Sequence, residues 1–317
     1  MGLKIEPILP KFGAECSGLD ITQPLTEEER RQVVEAQNKW GVCVYRNTGL
    51  TDETHIQFSR NFGHIELAPQ RKGGKSRLKH RELFDASNLN AEGEITRDPA
   101  AIQYRKGDRL WHTDSAFVPL RSSHSLLLAH QVPKEAGETW FADTRSAYED
   151  LPQEVKDRLE GLVGRNSVWW SRKLAGADIP DEQIRDGMFG EHPLVHTHAG
   201  SGRKALFIAA HTMDIIGMEH DEAQKLIWQL IEHATQPQYV FSVKYNVGDL
   251  VIWDNLCTMH RGGEFDYENE KRDMRRTTIR EGTEPYSVLD DDQFSKLFKA
   301  VPKEVDIAGA NEREATA

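Results

Sequence analysis

Apolar positions along this chain recur at two periods. In "TEEERRQVVEAQNKW" they return every three to four residues, and Glu29 follows Thr26 by three positions, so the stretch predicts a helix opened by a capping box. "TDETHIQFSRNFG" predicts a second helix, closed by Gly63. "DEAQKLIWQLIEHAT" predicts an amphipathic helix with Leu226, Ile227, Leu230 and Ile231 on one face. "TRSAYEDLPQEVKDRLEGL" predicts a helical insertion. Elsewhere the pattern alternates or runs continuously apolar. "LKIEPIL", "GVCVYRN", "SHSLLLAHQV", "GETWFAD", "QYVFSVKY", "GDLVIWDN" and "DMRRTTIRE" predict strands, and "PLVHTHAGSGRKALFIAAH" a hairpin around "AGSG". Residues 64–108 follow neither period and read as a long polar excursion. Many short strands with a few helices predict a mainly β, α+β architecture, a barrel or jelly roll with helices packed outside. One domain is expected over residues 1–285, with an irregular tail over 286–317.

Composition narrows the partners. A net charge of −11 argues against nucleic acid, and no run approaches the 18 apolar residues of a membrane span. The start, "MGLKIEPILPKFG", lacks the apolar stretch of a secretory signal. Cys16, Cys43 and Cys257 lie far apart with no CxxC, as expected of reduced thiols in a cytoplasmic protein. Against the acidic background, "RKGGKSRLKHR" at residues 71–81 is a basic island, suited to drawing in a small anionic molecule or to lying on a solvated loop.

The chemistry concentrates in "LWHTDSAF". On a strand, His112 and Asp114 would project from one face, an imidazole and a carboxylate at two vertices of a metal site. His260, in "WDNLCTMHRGGEFD" beyond the apolar run "LVIW", is the best-placed third ligand. Two histidines and one carboxylate suit non-haem Fe(II), because three protein ligands leave three positions open, two for a chelating co-substrate and one for O2. His-x-Asp alone is a weak signal in a chain with 13 histidines. The arginines of "KRDMRRTTIR" strengthen it. Strand alternation puts Arg272, Met274 and Arg276 on one face, and an inward guanidinium is costly unless it meets an anion.

"LWHTDSAF", "GETWFAD", "WDNLCTMHRG" and "RDMRRTT" together resemble the taurine/2,4-dichlorophenoxyacetate dioxygenase family of Fe(II)/2-oxoglutarate oxygenases, from about residue 10 to about residue 282. "FGHIELAPQRK", "SNLN" and "PLVHTHAGSGRKALFI" are most similar to the members acting on 2,4-dichlorophenoxyacetate. The resemblance implies a double-stranded β-helix, or jelly roll, with iron held by His112, Asp114 and His260. It implies that Thr139 and Arg272 hold the far carboxylate of 2-oxoglutarate, and that Arg276 contacts the acidic group of the substrate. It places the 64–108 excursion over the site mouth, where Arg71, Lys72 or Lys79 could help hold that group. The implied reaction hydroxylates an aryloxyalkanoate beside its ether oxygen, releasing a phenol and an oxo-acid with succinate and CO2, and the family's habit implies a homo-oligomer. The same chemistry on a sulfonate such as taurine, a sulfate ester or another carboxylic acid remains open. A zinc hydrolase or a non-catalytic acid sensor would leave Thr139 and Arg272 together without a purpose.

Overall fold

The computed structural model describes residues 2–68 and 76–288. In chain order, the strands are β1 (Lys4–Pro7), β2 (Ala14–Ser17), β3 (Val42–Tyr45), β4 (Phe84–Asp85), β5 (Ser122–Gln131), β6 (Thr139–Asp143), β7 (Val163–Asn166), β8 (Gly190–Pro193), β9 (Val195–Thr197), β10 (Lys204–Leu206), β11 (Thr212–Ile215), β12 (Val240–Val243), β13 (Leu250–Asp254), β14 (Thr258–Gly262) and β15 (Asp273–Arg280). The helices are α1 (Glu27–Trp40), α2 (Asp52–Ser59), α3 (Pro99–Arg105), α4 (Thr144–Glu149), α5 (Gln153–Leu159), α6 (Val168–Leu174), α7 (Asp181–Arg185) and α8 (His220–Ala234).

A seven-stranded sheet of order β1-β2-β3-β13-β5-β15-β4 lies against a three-stranded sheet of order β12-β6-β14. All pairs are antiparallel except β2 with β3. The alternation of apolar residues explains the layering. Val42, Val44, Leu127, Val251, Trp253 and Met274 of the large sheet meet Phe141, Phe241 and Val243 of the small one in a buried core. The opposite face of the large sheet, with Cys43, Leu126, Leu128, Leu250 and Ile252, packs with Val33 and Ala36 of α1 and Ile56 and Phe58 of α2. Beyond the small sheet, Ala142 and Met259 pack with Leu226, Ile227, Leu230 and Ile231 of α8, each such side chain contributing about 1.5–3 kcal/mol. The architecture is therefore α+β, with helices on the outer faces of two sheets.

Helix α1 opens as expected: Thr26 Oγ1 accepts from the Glu29 amide, and the Glu29 carboxylate accepts from the Thr26 amide at 2.8 Å. After α2, the chain tightens into a short turn over Arg60–Phe62 and then reaches Gly63. Gly63 sits at φ 137°, where an added Cβ would lie 2.4 Å from the Thr283 hydroxyl. The expected insertion after β6 is two helices, α4 and α5, with Pro152 at the break. The "AGSG" hairpin forms between β9 and β10.

Three expectations change. "LWHTDSAF" is not a strand. His112 makes one antiparallel bridge, to His260, and the left-handed Ser115 (φ 52°) turns the chain immediately after Asp114. The 64–108 excursion is more regular than its polarity suggested. It carries β4, paired with β15, and α3, which is capped by Asp98, begins at Pro99 and buries no residue, so it has no apolar period to detect. His260 does come after the apolar run, which is the buried strand β13, but it lies within a strand of its own, β14, rather than at the end of β13, and the sequence "TMHRG" hides that strand pattern. Of the tail, Tyr286 is tied down through its hydroxyl, which donates to Asn61 Oδ1 at 2.9 Å, while residues 289–317 fall outside the described chain.

Candidate active site

The bridge between residues 112 and 260 brings two imidazoles together, with ring centroids 4.2 Å apart. Its two backbone hydrogen bonds, His112 N to His260 O at 2.9 Å and His260 N to His112 O at 2.8 Å, fix the separation of the side chains. The turn after His112 then swings Asp114 to the same point, so that one ligand atom each from His112, Asp114 and His260 lies within 4.8 Å of the others. The shared face expected from strand alternation is achieved by a bridge and a turn.

Each of these side chains is held from behind. His112 Nδ1 lies 2.8 Å from the Leu110 carbonyl; a carbonyl only accepts, so Nδ1 carries the proton and Nε2 keeps its lone pair. His260 packs against Trp253, at 4.7 Å between ring centroids, and against Phe141 at 6.3 Å. Its Nε2 faces Asp114 Oδ2 at 3.6 Å, and its buried Nδ1 has no hydrogen-bond partner among the described residues. Asp114 Oδ2 accepts from the Ser125 hydroxyl at 2.7 Å, and Oδ1 accepts from Arg276 Nη1.

Electrostatics puts all three in ligand form. Burial pushes both His112 and His260 below the ordinary histidine range, so they are neutral at neutral pH. Burial alone would raise the Asp114 carboxyl. The charge of Arg276, with the Ser125 hydrogen bond, overrides that and holds it well below the usual carboxylate range. Two neutral imidazoles and a carboxylate, all buried, fit a divalent metal ion of borderline hardness such as Fe(II). A second buried group, His198, Asp254 and Cys257, has a different character. His198 uses both ring nitrogens, on Ser201 at 2.7 Å and Asp254 at 2.8 Å, and Asp254 Oδ1 accepts from the Leu256 amide. It is a satisfied hydrogen-bonded cluster in the core.

Strand β15 carries the arginines, and their faces separate as alternation predicts. Met274 lies in the inter-sheet core, and Arg276 reaches Asp114 from the same face, over the Phe84 ring at 4.8 Å. Arg275 points to the other side, where it pairs with Asp52 and, at 3.2 Å, with Asp273. Arg272, just before the strand, donates to the Gly137 carbonyl at 3.3 Å and to the Ala86 carbonyl at 3.4 Å, with its guanidinium 5.8 Å from the Tyr245 ring. Burial lowers its pKa, against the pull of Tyr245, Tyr267, Asp108 and Glu138. Tyr245 also connects to Thr139: its hydroxyl donates to Thr139 Oγ1 at 3.0 Å. The Thr139 proton is thereby left for another acceptor. Thr139 and Arg272 thus share Tyr245 as a neighbour.

The basic island is less informative. Arg71 and Lys72 lie outside the described residues, and Lys79 is exposed, beside the buried Leu78. Trp253 and Phe141 belong to the core and to the wall behind His260. Trp111 instead packs, partly buried, against the core cluster beyond the small sheet and flanks the Arg261 guanidinium at 5.2 Å. Sequence reasoning passed over Tyr245, Ser125, Asn255 and His211. Tyr245 lies two residues beyond the inward Val243, so its alternation was readable. His211 contacts the His112 ring at 5.7 Å and Phe117 at 5.4 Å, and comes from the loop after β10, which no periodicity marks.

A buried trio that could hold a metal ion at the end of a two-sheet core, with a buried threonine and a half-buried arginine sharing Tyr245, fits a class: oxygenases that couple a metal ion to an acidic co-substrate. The family model for the taurine catabolism dioxygenase TauD, TfdA family matches residues 4–278, and the chain belongs to that family. It is a 2-oxoglutarate-dependent dioxygenase, using a metal ion and 2-oxoglutarate. It is 38% identical over 281 residues to the alpha-ketoglutarate-dependent 2,4-dichlorophenoxyacetate dioxygenase of Cupriavidus pinatubonensis (strain JMP 134 / LMG 1197), covering 88% of this chain and 98% of that one. It is 30% identical over 285 residues to the (S)-phenoxypropionate/alpha-ketoglutarate-dioxygenase of Sphingobium herbicidovorans, covering 87% and 94%. Among solved structures, AAD-2 in complex with Mn(II) and N-oxalylglycine superposes with a TM-score of 0.82 at 38% identity, covering 90% of this chain and 100% of that one.

Proposed function

We propose that this enzyme hydroxylates an aryloxyalkanoate resembling 2,4-dichlorophenoxyacetate at the carbon beside the ether oxygen. The observation that carries this reading is Arg276: a guanidinium on the inward face of β15 that touches Asp114 at the metal trio and is placed to pair with a substrate carboxylate. Similarity to relatives named for 2,4-dichlorophenoxyacetate and (S)-phenoxypropionate supports the aryloxy part. The α+β layers and the two facing sheets favour a double-stranded β-helix, and three free, buried cysteines accord with a cytoplasmic setting.

In this reading, His112, Asp114 and His260 hold Fe(II), which when bound supplies O2 activation coupled to decarboxylation of 2-oxoglutarate. Thr139 donates its free proton, and Arg272 its guanidinium, to the far carboxylate of 2-oxoglutarate. Trp253 and Phe141 wall His260 from water. Arg276 orients the substrate so that its methylene, not its ring, faces the metal. Overall, substrate, O2 and 2-oxoglutarate give succinate, CO2 and a hemiacetal, which collapses to the phenol and an oxo-acid such as glyoxylate.

The test is product analysis with Fe(II), ascorbate, air and 2-oxoglutarate, offering 2,4-dichlorophenoxyacetate or taurine. Succinate and a phenol in equal amounts with the aryloxyacetate are expected. Coupled turnover with taurine and none with the aryloxyacetate would overturn the substrate assignment and leave the dioxygenase chemistry standing.

A further inference from the structure

Behind the metal trio stands a residue with four hydrogen bonds and no place in the mechanism above. Asn255 is 1% exposed and follows directly on β13. Its Oδ1 accepts from Trp253 Nε1 at 3.0 Å and from the Asp114 amide at 3.3 Å. Its Nδ2 donates to Ser125 Oγ at 3.0 Å, and its own amide donates to the Ser123 carbonyl at 2.7 Å.

The polarity of this network is forced. An indole N–H and a backbone N–H can only donate, so the atom facing both must be the amide oxygen. The amide nitrogen is then the atom that faces Ser125. Because that nitrogen donates, Ser125 spends a lone pair on Asn255 and has its proton left for Asp114 Oδ2, at 2.7 Å. Trp253, whose N–H is held by the same Asn255 oxygen, is the ring tilted against His260 at 4.7 Å between centroids. One buried amide thus reaches two of the three candidate ligands, Asp114 through its amide and its carboxylate, and His260 through the indole.

We propose that Asn255 is the positioning residue of this metal site, and that by fixing the direction of the Ser125 hydroxyl it holds the Asp114 carboxylate in the orientation that ligates. The inference rests on the assignment of His112, Asp114 and His260 as metal ligands. A carboxylate free to rotate has to be ordered as it binds, and that cost is taken from the affinity for the metal. Ser125 on Oδ2 and Arg276 on Oδ1 each tie a lone pair, and so resist that rotation.

Asn255→Asp is the diagnostic change. It keeps the shape and both acceptor contacts of Oδ1, but replaces the donor facing Ser125 with an acceptor. The Ser125 hydroxyl then turns to residue 255 and abandons Asp114. Ser125→Ala removes the same bond directly. Mn(II) binding to the metal-free protein, read from the free-ion electron paramagnetic resonance signal, should weaken roughly 10- to 100-fold in each variant while the protein remains folded. Because both changes break one hydrogen bond, the double variant should bind no more weakly than Asn255→Asp alone. Wild-type Mn(II) affinity in both single variants, with binding lost in His112→Ala, would overturn the proposal and leave the metal site intact. Additive losses in the double variant would also overturn it. Equal binding by wild type and His112→Ala would overturn the ligand assignment itself, and this inference with it. Should Asn255→Asp fail to fold, Ser125→Ala decides by itself.

Discussion

At the scale of single residues, the site is an arrangement of donors and acceptors whose direction is set by groups that can act in only one way. The Leu110 carbonyl fixes the His112 tautomer, and the Tyr245 hydroxyl leaves the Thr139 proton available. Among the described residues, the Arg272 guanidinium meets two long carbonyl contacts, at 3.3 and 3.4 Å, so it has capacity left for a carboxylate. Replacing Arg272 with Ala should raise the dissociation constant for 2-oxoglutarate roughly 10- to 150-fold, the value of one or more charge-assisted hydrogen bonds. Arg272→Lys should recover only part of this, because an ammonium lacks the planar fork. Isothermal titration of the Mn(II)-loaded protein with 2-oxoglutarate measures both. Unchanged affinity in Arg272→Ala would remove Arg272 from the co-substrate site.

At the scale of elements, β15 is the strand on which alternation has chemical consequences. Arg276 faces the metal trio, while Arg275, one residue away, faces Asp52 and Asp273 on the other side. Arg275→Ala should therefore cost about 1–3 kcal/mol of stability in urea unfolding and leave 2-oxoglutarate affinity unchanged. Arg276→Ala should raise the KM for the acidic substrate, and should let the Asp114 carboxyl pKa rise because its compensating charge is gone. The reverse assignment of losses would contradict the two-faced reading. This alternation was readable from "RDMRRTT", as were the capping box of α1, the apolar face of α8 and the identity of the metal-binding candidates. What escaped was whatever carries no period. His112 and Asp114 converge through one bridge and a left-handed turn at Ser115, a local geometry that alternation does not encode. Strand β14 is masked by its threonine, histidine and arginine, and α3 buries nothing. Ser125 and Asn255 act through hydrogen bonds between elements over 100 positions apart, a distance at which a single sequence has no signal.

At the scale of the whole molecule, two sheets enclose the core, helices cover the outer faces, and the site sits where β14 meets the turn after His112. Several histidines are buried in the neutral form, among them His55 beneath the large sheet, where burial and then the charge of His130 lower it to about 3. In the unfolded chain the same group titrates near 6.5. The unfolded state therefore binds more protons as pH falls below about 6.5, and the stability present above that value is lost progressively toward the folded pKa. Thermal midpoints of the metal-free protein should fall between roughly pH 7 and pH 5, with a slope of up to about 1.4 kcal/mol per pH unit from this group. His55→Leu should flatten that slope, and an unaltered slope would show that His55 does not stay neutral in the fold. The measurement that tests the central claim most directly is anaerobic binding of 2-oxoglutarate to the Fe(II)-loaded protein, followed by the visible charge-transfer absorption of a chelated 2-oxo acid. The account predicts the band in the wild type, its loss in His112→Ala, and its recovery only at higher 2-oxoglutarate concentration in Arg272→Ala. A band of full intensity in His112→Ala would contradict it, because the metal would then be held by some other set of residues.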